Sequence, residues 1–237
     1  MRLYIYSFWV LFVTIVLHTS CDDNLFVQGA GSFELTLNRD DVQSEVITRA
    51  LSDIDVNAFK VTLCEADGTT LLDEKTYGLL TEAECTLPAA VGYQLKVENC
   101  TPYESVTLNE GWGMPHFKGE TTFDIVSDQL TQVSLSCSMD NVGLQLLFSQ
   151  SFLDKFPIHA GTIQDNRSLV FNQITQEQVA YYSVEGDAIE VELRLTGSAG
   201  GWTDRLDLVY NLTLSKGKIY VVNVTYSDNH VRCEGCN

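Results

Sequence analysis

An all-β chain arranged as two tandem β-sandwich domains is what this 237-residue sequence predicts. Short segments of apolar–polar alternation recur along almost its whole length, and Gly, Asp-Gly and Pro signals separate them at regular intervals. Residues 149–156 are the one stretch after the leader with a helical pattern, one or two turns long.

The chain begins with an apolar leader. Arg2 supplies a minimal positive start, and Leu3 to Leu17 is an uncharged apolar run, shorter than the roughly 20 residues of a bilayer span. It closes on His18-Thr19-Ser20-Cys21. A cysteine directly after small residues at the end of such a run is where a lipoprotein signal peptidase acts, because the thiol takes a diacylglyceryl chain before cleavage. Residues 1–20 are therefore expected to be a signal peptide, Cys21 the lipidated residue and 21–28 a short tether, although His18 stands where an aliphatic residue is usual.

From Gly29 to Leu63 the chain holds one strand, a polar connector and a second strand. Phe33, Leu35 and Leu37 alternate with Ser32, Glu34 and Thr36, which puts the three apolar side chains on one face. The connector carries Arg49, and Phe59, Val61 and Leu63 then resume the alternation. Asp67-Gly68 marks a hairpin turn, and 70–77 reads as the returning strand. Further strands are expected at 92–98, 120–125, 129–137 and 142–148, then at 158–163, 169–171, 179–184, 188–195, 206–214 and 218–226. Polar residues 138–141 separate the two runs, so the expected domains are 29–138 and 139–237. Pro88, Pro102, Pro115 and Pro157 fall between strand runs, where a missing N–H costs no ladder bond.

The formal net charge is −18, and losing Arg2 with the leader makes the remainder one unit more negative. That balance excludes a nucleic-acid partner, whose phosphates demand Lys and Arg. Setting Cys21 aside leaves six cysteines, an even number that makes disulfides plausible in an exported protein. By strand phase Cys64 and Cys100 lie on outer faces and form one candidate pair; Cys85 and Cys137 form either a second pair or two buried free thiols. Cys233-Glu-Gly-Cys236 lacks a second CxxC and a βαβ setting, which favours a local disulfide or a loose tail over a zinc or redox site.

Chemistry-bearing clusters are hard to find. His116, His159 and His230 lie far apart with no Glu or His at metal-ligand spacing. Asp53-Ile-Asp55-Val-Asn57 imitates the start of a calcium loop, but Ala58 stands where the tight-turn Gly is required and Cys64 where the bidentate Glu is required. Glu104, Glu110, Glu120 and Asp124 are scattered, and the Gly-rich segment 197–201 precedes no helix. Trp112 and Trp202 sit in glycine-flanked loops, where an indole can stack on a sugar ring or fold back on the domain edge. The expectation is a non-enzymatic protein with no cofactor and no metal.

Cys21, the strand Gly31 to Leu37, Thr48-Arg49-Ala50, the strand Phe59 to Leu63 leading to Gly68, and Leu87-Pro-Ala-Ala-Val-Gly-Tyr-Gln-Leu95 together resemble Bacteroidetes surface lipoproteins of the DUF4493 type. That group in turn resembles fimbrillins, the subunits and anchors of type V pili. The resemblance implies two fimbrillin-like sandwiches on a lipid anchor at the outer membrane, exposed at the cell surface. It also implies protease cleavage between Arg49 and Ala50, which would release the first strand, with Phe33, Leu35 and Leu37 as the plug withdrawn from a groove that a neighbouring subunit's strand refills. Partners expected on this basis are the membrane and other fimbrillin-like subunits. The alternative is a glycan-binding surface lipoprotein that uses Trp112 and Trp202 as a stacking platform.

Overall fold

The computed structural model describes residues 29–44, 54–164, 167, 169–199 and 205–235. The expected signal peptide, Cys21, the tether, Arg49, Ala50, Trp202 and Cys236 lie outside the described residues.

The described chain is all-β. Its strands are β1 (Ala30–Arg39), β2 (Gln43–Ser44), β3 (Lys60–Cys64), β4 (Thr70–Thr76), β5 (Thr86–Pro88), β6 (Ala90–Glu98), β7 (Phe117–Ile125) and β8 (Leu130–Met139). There follow β9 (Asn141–Phe148), β10 (Ile158–Ile163), β11 (Val170–Phe171), β12 (Ala180–Ser183), β13 (Ala188–Ser198), β14 (Arg205–Ser215), β15 (Lys218–Ser227) and β16 (His230–Glu234). Two short α-helices, α1 (Glu104–Thr107) and α2 (Gln150–Lys155), interrupt them. The Ser149 side chain caps α2 by accepting from the Phe152 N–H, which satisfies one of the orphan donors of a helix start.

Three sheets result. The first runs β4-β3-β6-β7-β8-β1-β5, the second β11-β10-β13-β14, and the third β12-β9-β15-β16 with β2 beside β15. Each strand expected from alternation is present, because period-2 patterning dictates which face is buried. Alternation did not reveal β2, β5 and β16. Residues 230–234 are not loose: Asp228 and Asn229, both left-handed (φ 51° and 62°), turn the chain back so that β16 pairs with β15. That two-residue Asx turn is a hairpin signal legible in the sequence.

Two apolar clusters form. One gathers Phe33, Leu35, Leu37, Phe59, Val61, Leu63, Leu95, Phe117 and Leu135 inside the first sheet. The other lies between the second and third sheets, with Leu144, Leu146, Phe152, Phe171, Leu193, Leu195, Leu212 and Val222. Between them residues 138–141 are not a polar linker, since β8 reaches Met139 and β9 starts at Asn141. The clusters also interlock: Tyr181 and Ile219 join the first, and Trp112 packs against the second.

Asn141 is the centre of that junction. It is 1% exposed; its Oδ1 accepts from the His116 N–H (3.0 Å) and its Nδ2 donates to the Met114 carbonyl (2.9 Å). Its own carbonyl accepts from Gly217 N–H (2.9 Å). Nearby, Tyr181 N–H donates to the Trp112 carbonyl (2.8 Å), and Arg167 Nη1 bridges the Gly111 and Tyr181 carbonyls.

The cysteine pairings proposed from strand phase do not form. Cys64, Cys85, Cys100 and Cys137 are free thiols. Antiparallel register sets Cys64 opposite Gln94, six residues from Cys100, and Cys100 is buried rather than on an outer face. Cys85 meets β1 at Phe33 whereas Cys137 pairs with Arg39, so about 20 Å of strand separates them. Burial pushes the Cys100 thiol up to about 12 and the Cys137 thiol up to about 11. We expect a thiolate-specific reagent at neutral pH to leave Cys100 and Cys137 unmodified in the native protein and to label both after denaturation; peptide mass mapping reads this, and native-state labelling of Cys137 would contradict its place in the core.

Candidate functional site

The site is β1 and the groove along its edge. In β1 the side chains alternate as the sequence dictates: Phe33, Leu35 and Leu37 are 3%, 8% and 8% exposed, while Glu34, Thr36 and Asn38 face solvent. Phe33 packs against the ring of Phe123, centroids 5.2 Å apart. Burying three such side chains contributes roughly 5–9 kcal/mol in all.

What holds β1 laterally is asymmetric. On one side a parallel ladder to β8 runs unbroken from Ser32–Leu130 to Arg39–Cys137. On the other side β5 pairs with Ala30, Gly31 and Ser32 alone. Gly31 is required at this crossing because a Cβ there would collide with the Val126 carbonyl oxygen. Among the described residues the bonds to that second edge beyond Ser32 include Phe33 N–H to the Cys85 carbonyl (3.0 Å) and Tyr77 Oη–H to the Leu35 carbonyl (2.9 Å), with no further ladder.

Beside this edge lies an open groove of about 1040 Å³. Phe33 and Leu35 line one wall; Tyr77, Leu80, Ala83 and Cys85 line the other. A parallel strand inserted through non-local contacts, with a ladder among the described residues along only part of its second edge, is a segment that backbone pairing with another chain can replace or extend. Replacing Tyr77 by Phe removes one half-buried hydrogen bond to the strand, and we expect a loss of about 1 kcal/mol in urea denaturation. Amide exchange should accelerate within β1 before it does within β8.

After β1 the chain crosses to the third sheet, where β2 pairs in parallel with Lys218 and Ile219 of β15. The connector with Arg49 and Ala50 follows, outside the described residues. Trp202 lies outside them too. Trp112 is half-buried, its indole edge-on to Phe171 with centroids 5.1 Å apart, so its packing is shared with the second core.

Other polar groups act structurally. His116 is buried, with Nε2 3.2 Å from Glu98 Oε2. Asp55 caps a 3-10 turn through the Asn57 N–H. Among the described residues no group of three His, Cys, Asp or Glu side chains could hold a metal ion, and no helix is long and apolar enough to cross a membrane. Asp140 sits between Lys118 Nζ (2.8 Å) and Lys216 Nζ (3.1 Å). Burial pushes its carboxyl up, but the two lysines together outweigh burial and leave it below the usual aspartate range.

A depressed carboxyl stabilises the fold above its unfolded-state pKa, near 3.9, and that contribution is lost as pH falls through the folded value. Asp140→Asn should therefore lower thermal stability at pH 7 and change little at pH 2; equal destabilisation at both would exclude the ion pairs as the cause.

A family model described as "Domain of unknown function (DUF4493)" matches residues 29–229. Among solved structures, a fimbrial assembly protein from Parabacteroides distasonis is similar at 13% identity and TM-score 0.49, over 86% of this chain and 95% of that one. A candidate cell adhesion protein from Bacteroides uniformis is similar at 10% identity and TM-score 0.46, over 87% and 97%. Candidate polysaccharide binding proteins from Bacteroides thetaiotaomicron are similar at 11% identity and TM-score 0.41, over 87% and 96%. No curated protein matches.

Proposed function

The chain belongs to the DUF4493 family, and from that premise we propose that it is a non-enzymatic cell-surface lipoprotein, a fimbrillin-like structural or adhesive component. In this reading it comprises two tandem sandwiches, 29–138 and 139–237, carried on a lipid at Cys21 of the outer membrane. The observation that supports it most is the state of β1: three buried side chains, a parallel ladder on one edge and, among the described residues, a ladder of three residue pairs on the other.

Such a strand is exchangeable once it is covalently released. Cleavage between Arg49 and Ala50 would free β1, expose the cleft that Phe33, Leu35 and Leu37 fill, and leave β8 with an unpaired edge for a neighbouring subunit's strand. In the uncut form β1 stays, and the protein acts as an anchor or stand-alone adhesin. The glycan-binding alternative draws no support from Trp112, whose indole is already engaged with Phe171.

Intact mass and N-terminal peptide mapping of the protein from its native membrane test this. A lipidated Cys21 with β1 retained is expected for an anchor, and a start at Ala50 for an assembled subunit. A mature chain with neither a lipid on Cys21 nor a new terminus at Ala50 would sink both forms of the proposal.

A further inference from the structure

Long edge strands invite pairing with other chains, and folded proteins usually blunt them. The outermost strands of the described sheets follow that practice, with one exception, and the partly covered edge of β1 is a separate case. β4 carries Asp73, Glu74 and Lys75, and Glu74 adopts φ 47° where its pairing with β3 shifts register. β5 is three residues long and ends at Pro88; β11 and β12 have two and four residues. β16 has five, including Arg232 and Glu234.

β14 is the exception. It is 11 residues long and pairs with β13 without a register shift from Arg205–Ser198 to Ser215–Ala188. Among the described residues no strand pairs along its other edge. From Leu208 to Leu214 it holds no charge, Gly or Pro. Its inner face is also incompletely covered: Leu212 and Leu214 are buried, whereas Leu206, Leu208 and Tyr210 are half-buried against the second core. On the outer face Val209 is 52% exposed.

We propose that the β14 edge is a homodimer interface, pairing antiparallel with β14 of a second copy about a two-fold axis at Tyr210. The strand is self-complementary in that register. On the inner face Leu206 meets the partner's Leu214, Leu208 meets the partner's Leu212, and Tyr210 meets its own counterpart, so the two half-covered apolar rows cover each other. On the outer face Arg205 meets the partner's Ser215, Asp207 the partner's Thr213, and Val209 the partner's Asn211; no like charges stand opposite. A two-fold axis normal to the sheet keeps inner faces on one side, and the second sheets of two copies merge into one of eight strands. All 11 residues of each edge are used, which a shifted register does not achieve.

Edge pairing buries little area, so the dimer is weak, and the net charge of −18 on each chain opposes it at low salt. This interface is independent of strand exchange at β1 and of the lipid anchor.

Sedimentation equilibrium of the full chain at about 1 M salt, where the Debye length is about 3 Å, should show a monomer–dimer equilibrium. Val209→Lys places a cation next to its symmetry mate on a solvent-facing site, and should raise the dimer Kd more than about tenfold without disturbing the fold. Val91→Lys, at a valine 73% exposed in β6, should leave the Kd unchanged. A monomer up to millimolar protein overturns the proposal, as does a dimer that Val209→Lys leaves intact or that Val91→Lys weakens equally.

Discussion

A chain that starts at Ala50, and so lacks β1, should lose most of the stability of the first core. The three buried side chains of β1 contribute roughly 5–9 kcal/mol, comparable to the whole net stability of a typical domain, about 5–15 kcal/mol. Removing the strand also strips β8 of the parallel ladder that runs from Leu130 to Cys137. Two effects therefore act together, an emptied apolar cleft and an open sheet edge, and both favour capture of any extended apolar strand.

We expect the truncated chain to unfold at much lower urea than the intact one and to aggregate on concentration. A synthetic peptide spanning Ala30–Arg39, added in trans, should restore part of the lost stability. The same peptide with Leu35→Asp should not, because a carboxylate cannot enter the cleft without a partner. If the truncated chain keeps the urea midpoint of the intact protein, β1 is a dispensable edge and strand exchange through this groove is excluded.

Asn141→Ala should be the most damaging single truncation at the junction of the two cores. The side chain satisfies one donor, the His116 N–H, and one acceptor, the Met114 carbonyl, at a site 1% exposed to solvent. Alanine leaves both groups buried and unmatched, a cost of about 1–3 kcal/mol each. The expected loss is about 2–6 kcal/mol in urea denaturation. Asn141→Asp is a sharper control: it can still accept from His116 N–H but cannot donate to Met114, so at neutral pH it places a carboxylate against a carbonyl oxygen. Loss of less than about 0.5 kcal/mol in Asn141→Ala would mean that water replaces the amide at no cost, and that the junction is held by Tyr181, Trp112 and Arg167 instead.

The two predictions also separate what is readable from what is not. Phe33, Leu35 and Leu37 announce themselves by strict alternation, and so do the inward faces of β3, β6, β8 and β9, because a half-buried strand must place its apolar residues two apart. The same rule places Cys137 inward, where it is a buried free thiol, but it gives neither the cysteine pairing nor the burial of Cys100. It assigns a face within one strand, but Cys64 and Cys100 are kept apart by the register between strands, which alternation does not encode. Asn141 and His116 look like solvated loop residues in sequence, since a polar side chain between strand runs is ordinarily wet; their burial follows from two layers closing over them. The β16 hairpin is legible in Asp228-Asn229, a turn pair that fits the left-handed conformation, whereas the CxxC beside it carries no strand alternation.

By itself the sequence determined the all-β class, the faces of the principal strands, the acidic surface and the family resemblance carried by the Gly31–Leu37 strand and its connector. These are local properties, set by the side-chain period of a strand and by turn chemistry over a few neighbouring residues. The tertiary structure alone decided that β1 pairs in parallel with a strand nearly 100 positions away, that residues 138–141 are a closed junction, and that among the described residues β1 beyond Ser32 and β14 each have a ladder on one edge only. Those follow from which strand neighbours which, a choice made by long-range packing of the apolar faces and by loop closure, for which no short window of sequence holds a signal.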